Sequence, residues 1–337
     1  MRIVDLNIIW FILITVLFTG FFILEGFDYG VGMMMFGRPK NERSQFVRAI
    51  GPVWDGNEVW MITAGGALFA AFPHVYATMF STFYLALFLM LLALIMRGVA
   101  FELRGKFKTS DWVNFWDCGI MFGSFVPALL WGVAVTNLLR GVAINYQMHY
   151  VGTFLDLLNP CAIVGGIFFV FLFAFHGANF LLIKIADEKL LNELQGKSFK
   201  LGLATLFVYV LFAAAAAHDT DILAKISTVI FLGLSIAALI ASCAGAKAGN
   251  GCKAFLSSTL AVAFLTIGFF NALFPRIMVS NLSPDFTLNI YNAASTPHTL
   301  TLMTIAALIF VPIVLCYQFW TYKVFKARVT PQDVNYH

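Results

Sequence analysis

The sequence predicts an all-α integral membrane protein, and three observations support that fold class. Of the 337 residues, 61% are hydrophobic and only 11% are charged, whereas soluble domains carry about 25% charged residues. The 37 phenylalanines alone outnumber the 17 acidic residues. Long uncharged runs recur along the chain, and a helix needs about 20 apolar residues to cross the hydrocarbon core of a bilayer. These features exclude a soluble enzyme, a disordered chain and a nucleic-acid-binding protein.

Nine transmembrane helices follow from the lengths of the apolar runs. Eight uncharged runs suit a membrane span: 6–24, 75–96, 118–139, 157–183, 201–217, 226–246, 254–275 and 299–322. A ninth run, 59–73, covers only about 22 Å as a helix. We therefore expect it to extend backwards through Glu58 and Asp55 towards Pro52, which places two acids inside a span.

The basic residues predict the orientation of these spans. All but four of the 21 lysines and arginines lie in alternate loops, near 37–50, 97–114, 184–200 and 245–253, or in the C-terminal tail. The exceptions are Arg2, Arg140, Lys225 and Arg276. Because basic loops stay on the cytoplasmic side, the N-terminus is predicted outside and the C-terminus in the cytoplasm.

The chain reads as a single transmembrane domain over residues 1–337, with a faint internal repeat. The predicted first span ends in Glu-Gly-Phe-Asp at 25–28, and the fifth ends in His-Gly-Ala-Asn at 176–179. Both run in the same direction, which suggests parallel pseudo-repeats at about 1–139 and 150–275. The last helix, at about 299–326, would then be peripheral.

Acidic residues cluster at the cytoplasmic ends of the first two predicted helices. Glu25 and Asp28 are three residues apart, and Asp55 and Glu58 repeat that spacing, so each pair occupies one helix face. The flanking residues on the second helix are Trp54, Asn57 and Trp60. Four carboxylates near one depth repel one another and are costly in lipid. We expect some of them to stay protonated or to pair with a cation such as Arg97.

The residues alone leave two interpretations of this cluster open. It is either a site that takes up protons from the cytoplasm and passes them inward, or an ion-pair network that only anchors helix ends. A proton-coupled secondary transporter and a purely structural membrane subunit are therefore alternative functions. Asp117 is expected to open the fourth span as an ordinary acid in the first helical turn.

The histidines predict that this chain holds no haem and no metal. Six histidines are present, and only His176 lies well inside a predicted span. A helix bundle that binds haem through two histidines needs both inside it. We expect His176 to be a hydrogen-bonded core residue, and we expect no catalytic, cofactor-binding or metal-binding residue in this chain.

Several motifs together resemble subunit II of the cytochrome bd-type quinol oxidases. The most distinctive are Glu-Gly-Phe-Asp-Tyr-Gly-Val-Gly at 25–32 and Gly-Pro-Val-Trp-Asp-Gly-Asn-Glu-Val-Trp at 51–60. Further matching segments are 62–73, 97–102, 104–106, 123–127, 159–160 and 274–275, with Pro312. The resemblance therefore covers essentially the whole chain.

This resemblance implies two four-helix bundles and one peripheral helix, paired about a pseudo-two-fold axis with a similar subunit I. Subunit I would carry two haems b, one haem d and the quinol site, whereas subunit II binds no haem. The complex would lie in the bacterial or archaeal cytoplasmic membrane, oxidise quinol, reduce oxygen to water and draw protons from the cytoplasm. The resemblance leaves open whether a small accessory membrane subunit is a further partner.

The resemblance also implies a proton pathway through subunit II. It falls on Asp55, with Glu25 and Asp28 close by, and Glu25 stands where some relatives have Asp. Together with the residue-based argument, the predicted pathway comprises Asp55, Glu25, Asp28, Glu58 and Arg97. Trp54, Asn57 and Trp60 are its predicted supporting residues.

Overall fold

The computed structural model describes residues 5–335, and most of them lie in helices. The N-terminal helices are α1 (Leu6–Met34), α2 (Lys40–Ile50), α3 (Trp54–Ala71), α4 (Pro73–Thr82), α5 (Tyr84–Leu103) and α6 (Ser110–Arg140). They are followed by α7 (Pro160–Lys184), α8 (Glu188–Asp219), α9 (Ile226–Lys247), α10 (Gly251–Leu273) and α11 (Pro297–Val324). Within this part of the chain, eight helices are long and apolar enough to cross a membrane, namely all except α2, α3 and α4.

Local sequence signals explain several helix starts. The side chain of Asn159 accepts a hydrogen bond from the amide of Ala162, and Pro160 follows it as the first residue of α7. Asn250 caps α10 in the same way by accepting from the amide of Lys253. A capping side chain satisfies a backbone N–H that has no partner within the helix. The predicted run 157–183 therefore loses its first three residues to the segment before α7.

The second predicted helix has the expected backward extension, because α3 begins at Trp54 and includes Asp55 and Glu58. The single helix predicted for 75–96 is wrong. The structure instead has α4 and α5, which are separated at Phe83, where the backbone dihedrals are φ −97° and ψ 18°. Another break lies at Phe72, which adopts φ −133° and ψ 68° because a residue before proline is disfavoured in the helical region. Whether α3 makes a ninth span stays a prediction.

The helices pack into two neighbouring groups. In the N-terminal group, α1 packs against α3 and α6, and α5 packs against α6. In the C-terminal group, α7 packs against α8 and α10, and α9 packs against α8 and α10. The groups meet where α7 contacts α1 and α6. The repeat boundaries at 1–139 and 150–275 and the orientation in the membrane stay predictions.

Two glycines let α1 and α7 cross with their backbones in contact. A Cβ atom added to Gly30 would lie 2.7 Å from the Cα of Gly177 and would collide with the carbonyl of Phe173. Just beyond this crossing, Phe27 stacks on Phe180 with ring centroids 4.1 Å apart. Small residues at such a crossing allow close helix packing in membranes. The crossing places the C-terminal halves of α1 and α7 side by side.

Outside the helices, the chain after α10 forms a short antiparallel ladder of β1 (Arg276–Met278) and β2 (Leu288–Asn289). It leads into α11, which packs against α3 and α1. Only 6% of the most apolar stretch of α11 is buried. The last helix is thus mostly exposed on the chain, in keeping with its predicted peripheral place.

Candidate functional site

Four charged residues from three helices meet in what we call the charged cluster: Glu25 and Asp28 of α1, Glu58 of α3 and Arg97 of α5. The side chains of Arg97 and Glu25 are completely buried and form an ion pair through Nη1 of the arginine. The same Nη1 lies 3.0 Å from Oε1 of Glu58, whose side chain is 21% exposed. Asp28 is also completely buried. The structure thus brings together four of the five residues predicted for the proton pathway.

Aromatic rings surround the Arg97 guanidinium. Its central carbon lies 4.9 Å from the ring centroid of Tyr29, 5.6 Å from that of Phe101 and 6.0 Å from that of Trp54. Trp54 in turn stacks on Phe101 with an interplanar angle of 17°. A cation over an aromatic face is stabilised electrostatically, and more so away from water. Trp54 therefore lies beside the charged cluster, and its supporting role in a proton pathway stays a prediction.

The charged cluster holds three carboxyl groups and a single guanidinium, and several of its polar atoms have no protein partner. Within residues 5–335, these atoms are Oε2 of Glu25, Oδ1 of Asp28, and Nε and Nη2 of Arg97, and the hydroxyl of the neighbouring Tyr29 also has no partner. Buried polar groups are nearly always hydrogen-bonded, so each exception calls for an explanation. Of these atoms, the carboxyl oxygens of Glu25 and Asp28 can take up a proton without first breaking an existing hydrogen bond.

Asn57 links the charged cluster to the last helix. Its Nδ2 donates to Oδ2 of Asp28 at 2.6 Å, and the residue is completely buried. Its Oδ1 accepts hydrogen bonds from Nε2 of Gln318 at 3.0 Å and from the hydroxyl of Tyr322 at 2.9 Å. Through these hydrogen bonds, Asn57 connects α1, α3 and α11.

Two predicted residues lie outside this buried network. Asp55 is exposed on the chain, and the described residues include no ion-pair partner for it, although it stands one helical turn before Glu58. The indole of Trp60 packs directly on Gly20 of α1, five residues before Glu25. Trp60 thus contributes to the packing of α3 on α1 rather than to the charged cluster.

Sequence reasoning missed Tyr29, Gln318 and Tyr322. Tyr29 directly follows Asp28 in the Glu-Gly-Phe-Asp-Tyr-Gly motif, and this position in the sequence could have indicated that it lies at the same site. Gln318 and Tyr322 are four residues apart on an otherwise apolar helix, so they share one face. A polar pair on a lipid-exposed helix indicates a polar contact, but nothing in the sequence identifies Asn57 as the partner.

The expectation for Asp117 is wrong. Because α6 begins at Ser110, Asp117 lies two turns inside the helix, and it is completely buried. Its Oδ1 lies 2.5 Å from Nε of Arg104, and its Oδ2 lies 3.2 Å from Nη1 of Arg43. This second ion-pair group joins α2, α5 and α6 and is separate from the charged cluster.

His176 is a hydrogen-bonded core residue, as predicted. It is completely buried, its Nε2 donates to the carbonyl of Ile23 at 3.1 Å, and its Nδ1 lies 2.7 Å from Oγ of Ser258. Both ring nitrogens are engaged, so the residue does not fit an axial haem ligand. Residues 5–335 contain no group of three or more His, Cys, Asp or Glu side chains arranged to hold a metal ion.

Comparison with known proteins identifies the family. The family model of cytochrome bd terminal oxidase subunit II matches residues 6–325. The chain belongs to this family. It is 40% identical over 339 residues to the cytochrome bd ubiquinol oxidase subunit 2 of Bacillus subtilis strain 168, covering 98% of each chain. It is 35% identical over 369 residues to the cytochrome bd-I ubiquinol oxidase subunit 2 of Escherichia coli K12, covering 98% of this chain and 97% of that one.

A solved structure shows the same fold. The chain superposes on the bd oxidase of Geobacillus thermodenitrificans with a TM-score of 0.77, 15% sequence identity and coverage of 95% of this chain and 98% of that one. The resemblance noted in the motifs is thus confirmed. As a member of the subunit II family, the chain is a multi-pass membrane subunit of a haem-containing quinol oxidase complex, an oxidoreductase that includes subunit I.

Proposed function

We propose that this subunit II supplies the path by which protons from the cytoplasm reach the site of oxygen reduction, and that it also serves as a scaffold for subunit I. The observation that carries the proposal is the buried charged cluster, in which Glu25 and Glu58 pair with Arg97 and a third carboxyl group, that of Asp28, is completely buried. Such a cluster is costly inside a membrane, and buried ionisable residues there mark proton relays. Reduction of oxygen to water consumes protons, which the complex draws through this cluster.

The path follows decreasing exposure along α3 and α1. Asp55 is exposed at the start of α3, Glu58 one turn further is partly buried, and Glu25 is completely buried. Both glutamates bond to the same nitrogen of Arg97, so their carboxyl groups lie side by side. A proton can then pass from one carboxyl group to the other while the guanidinium keeps its charge. The predicted topology places the exposed end of this series at the cytoplasm.

The scaffold role rests on the large apolar side chains that α3, α5 and α11 leave exposed. They include Ile62, Phe69, Phe88, Leu92, Leu308 and Phe319. Extensive exposed apolar surface marks a protein or lipid interface. In the proposed complex this apolar surface packs against subunit I, which carries the two haems b, the haem d and the quinol site. Whether a small accessory subunit also binds is left open.

Replacing Asp55 with Asn in the intact complex tests the proton path. We expect quinol oxidase turnover to fall several-fold while haem content stays normal, because the first proton-accepting group is lost and the helix is unchanged. Asp111→Asn is the matched control, since Asp111 is an exposed acid in the first turn of α6. It should turn over like the unmodified complex.

Two outcomes would contradict this role for Asp55. Unchanged turnover with an unchanged pH profile would reduce Asp55 to a structural residue. A loss of haem together with turnover would indicate that Asp55 acts in assembly with subunit I. The affinity-tagged chain without substitution should co-purify with a haem-bearing partner, and recovery of a colourless protein alone would contradict the scaffold role.

A further inference from the structure

The last helix is attached to the chain by two polar anchors. Near its N-terminus, Nε1 of Trp10 donates to the carbonyl of Leu300 at 3.2 Å and to Oγ1 of Thr304 at 3.1 Å. Near its C-terminus, Gln318 and Tyr322 donate to Asn57. Because the rest of α11 is mostly exposed, these anchors fix its position against α1 and α3.

The C-terminal anchor also fixes the orientation of the Asn57 side chain. An amide has one oxygen that accepts and one nitrogen that donates. Since Oδ1 accepts hydrogen bonds from both Gln318 and Tyr322, the nitrogen is turned towards Asp28, to which it donates at 2.6 Å. Because Oδ1 is held by these two hydrogen bonds, the Asn57 amide does not flip, and its nitrogen stays hydrogen-bonded to the carboxylate of Asp28.

We infer that Gln318 and Tyr322 are positioning residues of the proton path, because they hold Asn57 so that it fixes Asp28. Asn57 binds one oxygen of that carboxyl group and leaves the other, Oδ1, without a protein partner. Asp28 is thereby held in one orientation with one oxygen able to take a proton. The inference rests on the proposed function, and it makes α11 part of the proton path as well as a face for subunit I.

The test compares the two anchors in the intact oxidase complex. Tyr322→Phe removes only the hydroxyl that bonds to Asn57, and Gln318→Leu removes the other donor. Thr304→Val is the matched control, because it removes a hydroxyl of the same helix at the N-terminal anchor. We expect the two C-terminal variants to lower turnover per haem several-fold and to shift the pH of half-maximal turnover, whereas Thr304→Val should change neither.

Asp28→Asn separates failure of this inference from failure of the proposed function. If Asp28→Asn slows turnover while Tyr322→Phe and Gln318→Leu behave like Thr304→Val, the positioning role is overturned and the proton path stands. If Asp28→Asn leaves turnover and pH profile unchanged, the proton path through Asp28 is overturned, and with it the inference. If all the α11 variants, including Thr304→Val, slow turnover equally, α11 acts only through general packing, and the positioning role is again overturned.

Discussion

The two helix groups place very different chemistry at positions that the predicted repeat pairs. In the predicted repeat, Glu25 and Asp28 of α1 correspond to His176 and Asn179 of α7, and all four side chains are completely buried. Around Asn179 lies what we call the neutral cluster: His176, Asn179, Ser198, Ser242 and Ser258. Oγ of Ser198 donates to Asn179 at 2.6 Å, and Asn179 donates to Oγ of Ser242 at 3.0 Å.

The difference lies in how completely each cluster satisfies its hydrogen bonds. In the neutral cluster, the hydroxyl of Ser242 donates a hydrogen bond to the carbonyl of Ala254 at 2.7 Å. Among the described residues, none of the five side chains of this cluster has an unpartnered buried polar atom. The charged cluster leaves four such atoms unpartnered, and the hydroxyl of the adjoining Tyr29 is a fifth. A satisfied buried network stabilises one structure, whereas a partly satisfied charged network carries a cost. The comparison favours a structural role for the first and proton chemistry for the second.

The largest effect should come from removing the cation of the charged cluster. Arg97→Leu leaves Glu25 and Glu58 without their shared partner, and breaking a buried ion pair from one side costs about 3–5 kcal/mol. We expect little assembled oxidase, measured as haem-containing complex recovered in detergent, and a lower thermal midpoint for what remains. Arg97→Lys keeps the charge and should be recovered in larger amount. Normal recovery of Arg97→Leu would show that the cluster needs no cation, which would undo the contrast with the neutral cluster.

A smaller effect is expected from opening the neutral cluster. Ser242→Ala removes the acceptor of Asn179 and the donor to Ala254, and an unsatisfied buried group costs about 1–3 kcal/mol. The thermal midpoint of the complex should fall, while turnover per haem and its pH profile should stay unchanged. A shift in the pH profile would give the neutral cluster a share in proton transfer, and the two groups would no longer differ in role.

The sequence was sufficient to predict the features that depend on local composition. Apolar runs predicted the helices, and the three-residue spacing of Glu25 and Asp28 predicted that both lie on one face of α1. The same spacing predicted a shared face for Asp55 and Glu58, of which only Glu58 joins the charged cluster. Burial cost predicted that the acids would either stay protonated or pair with a cation such as Arg97, and Arg97 does pair with Glu25 and Glu58. These inferences succeed because each depends on helix geometry or on the low solvation of charge in lipid.

Features that depend on contacts between residues distant in the sequence, or on the local backbone conformation within an apolar run, could not be predicted. Asn57 and Gln318 are 261 residues apart in the chain, and no periodicity links them. The break at Phe83 was missed because apolar residues continue on both sides of it, and hydropathy carries no information about the backbone dihedrals of a single residue. The burial of Asp117 was missed because its partners Arg43 and Arg104 come from other helices.

The smallest effect should come from Glu58, the partly exposed member of the charged cluster. Glu58→Gln loses the 3.0 Å contact with Arg97 but also relieves repulsion with Glu25, which bonds to the same nitrogen. Because these changes oppose one another, we expect the thermal stability to change by less than about 1 kcal/mol. Glu25→Gln is the matched variant, and it should lower the thermal midpoint more because its side chain is completely buried. If Glu58→Gln destabilises the complex as much as Glu25→Gln does, the energetic weight of a carboxyl group in the charged cluster does not depend on its exposure. The proton path proposed along decreasing exposure, from Asp55 through Glu58 to Glu25, then loses its support.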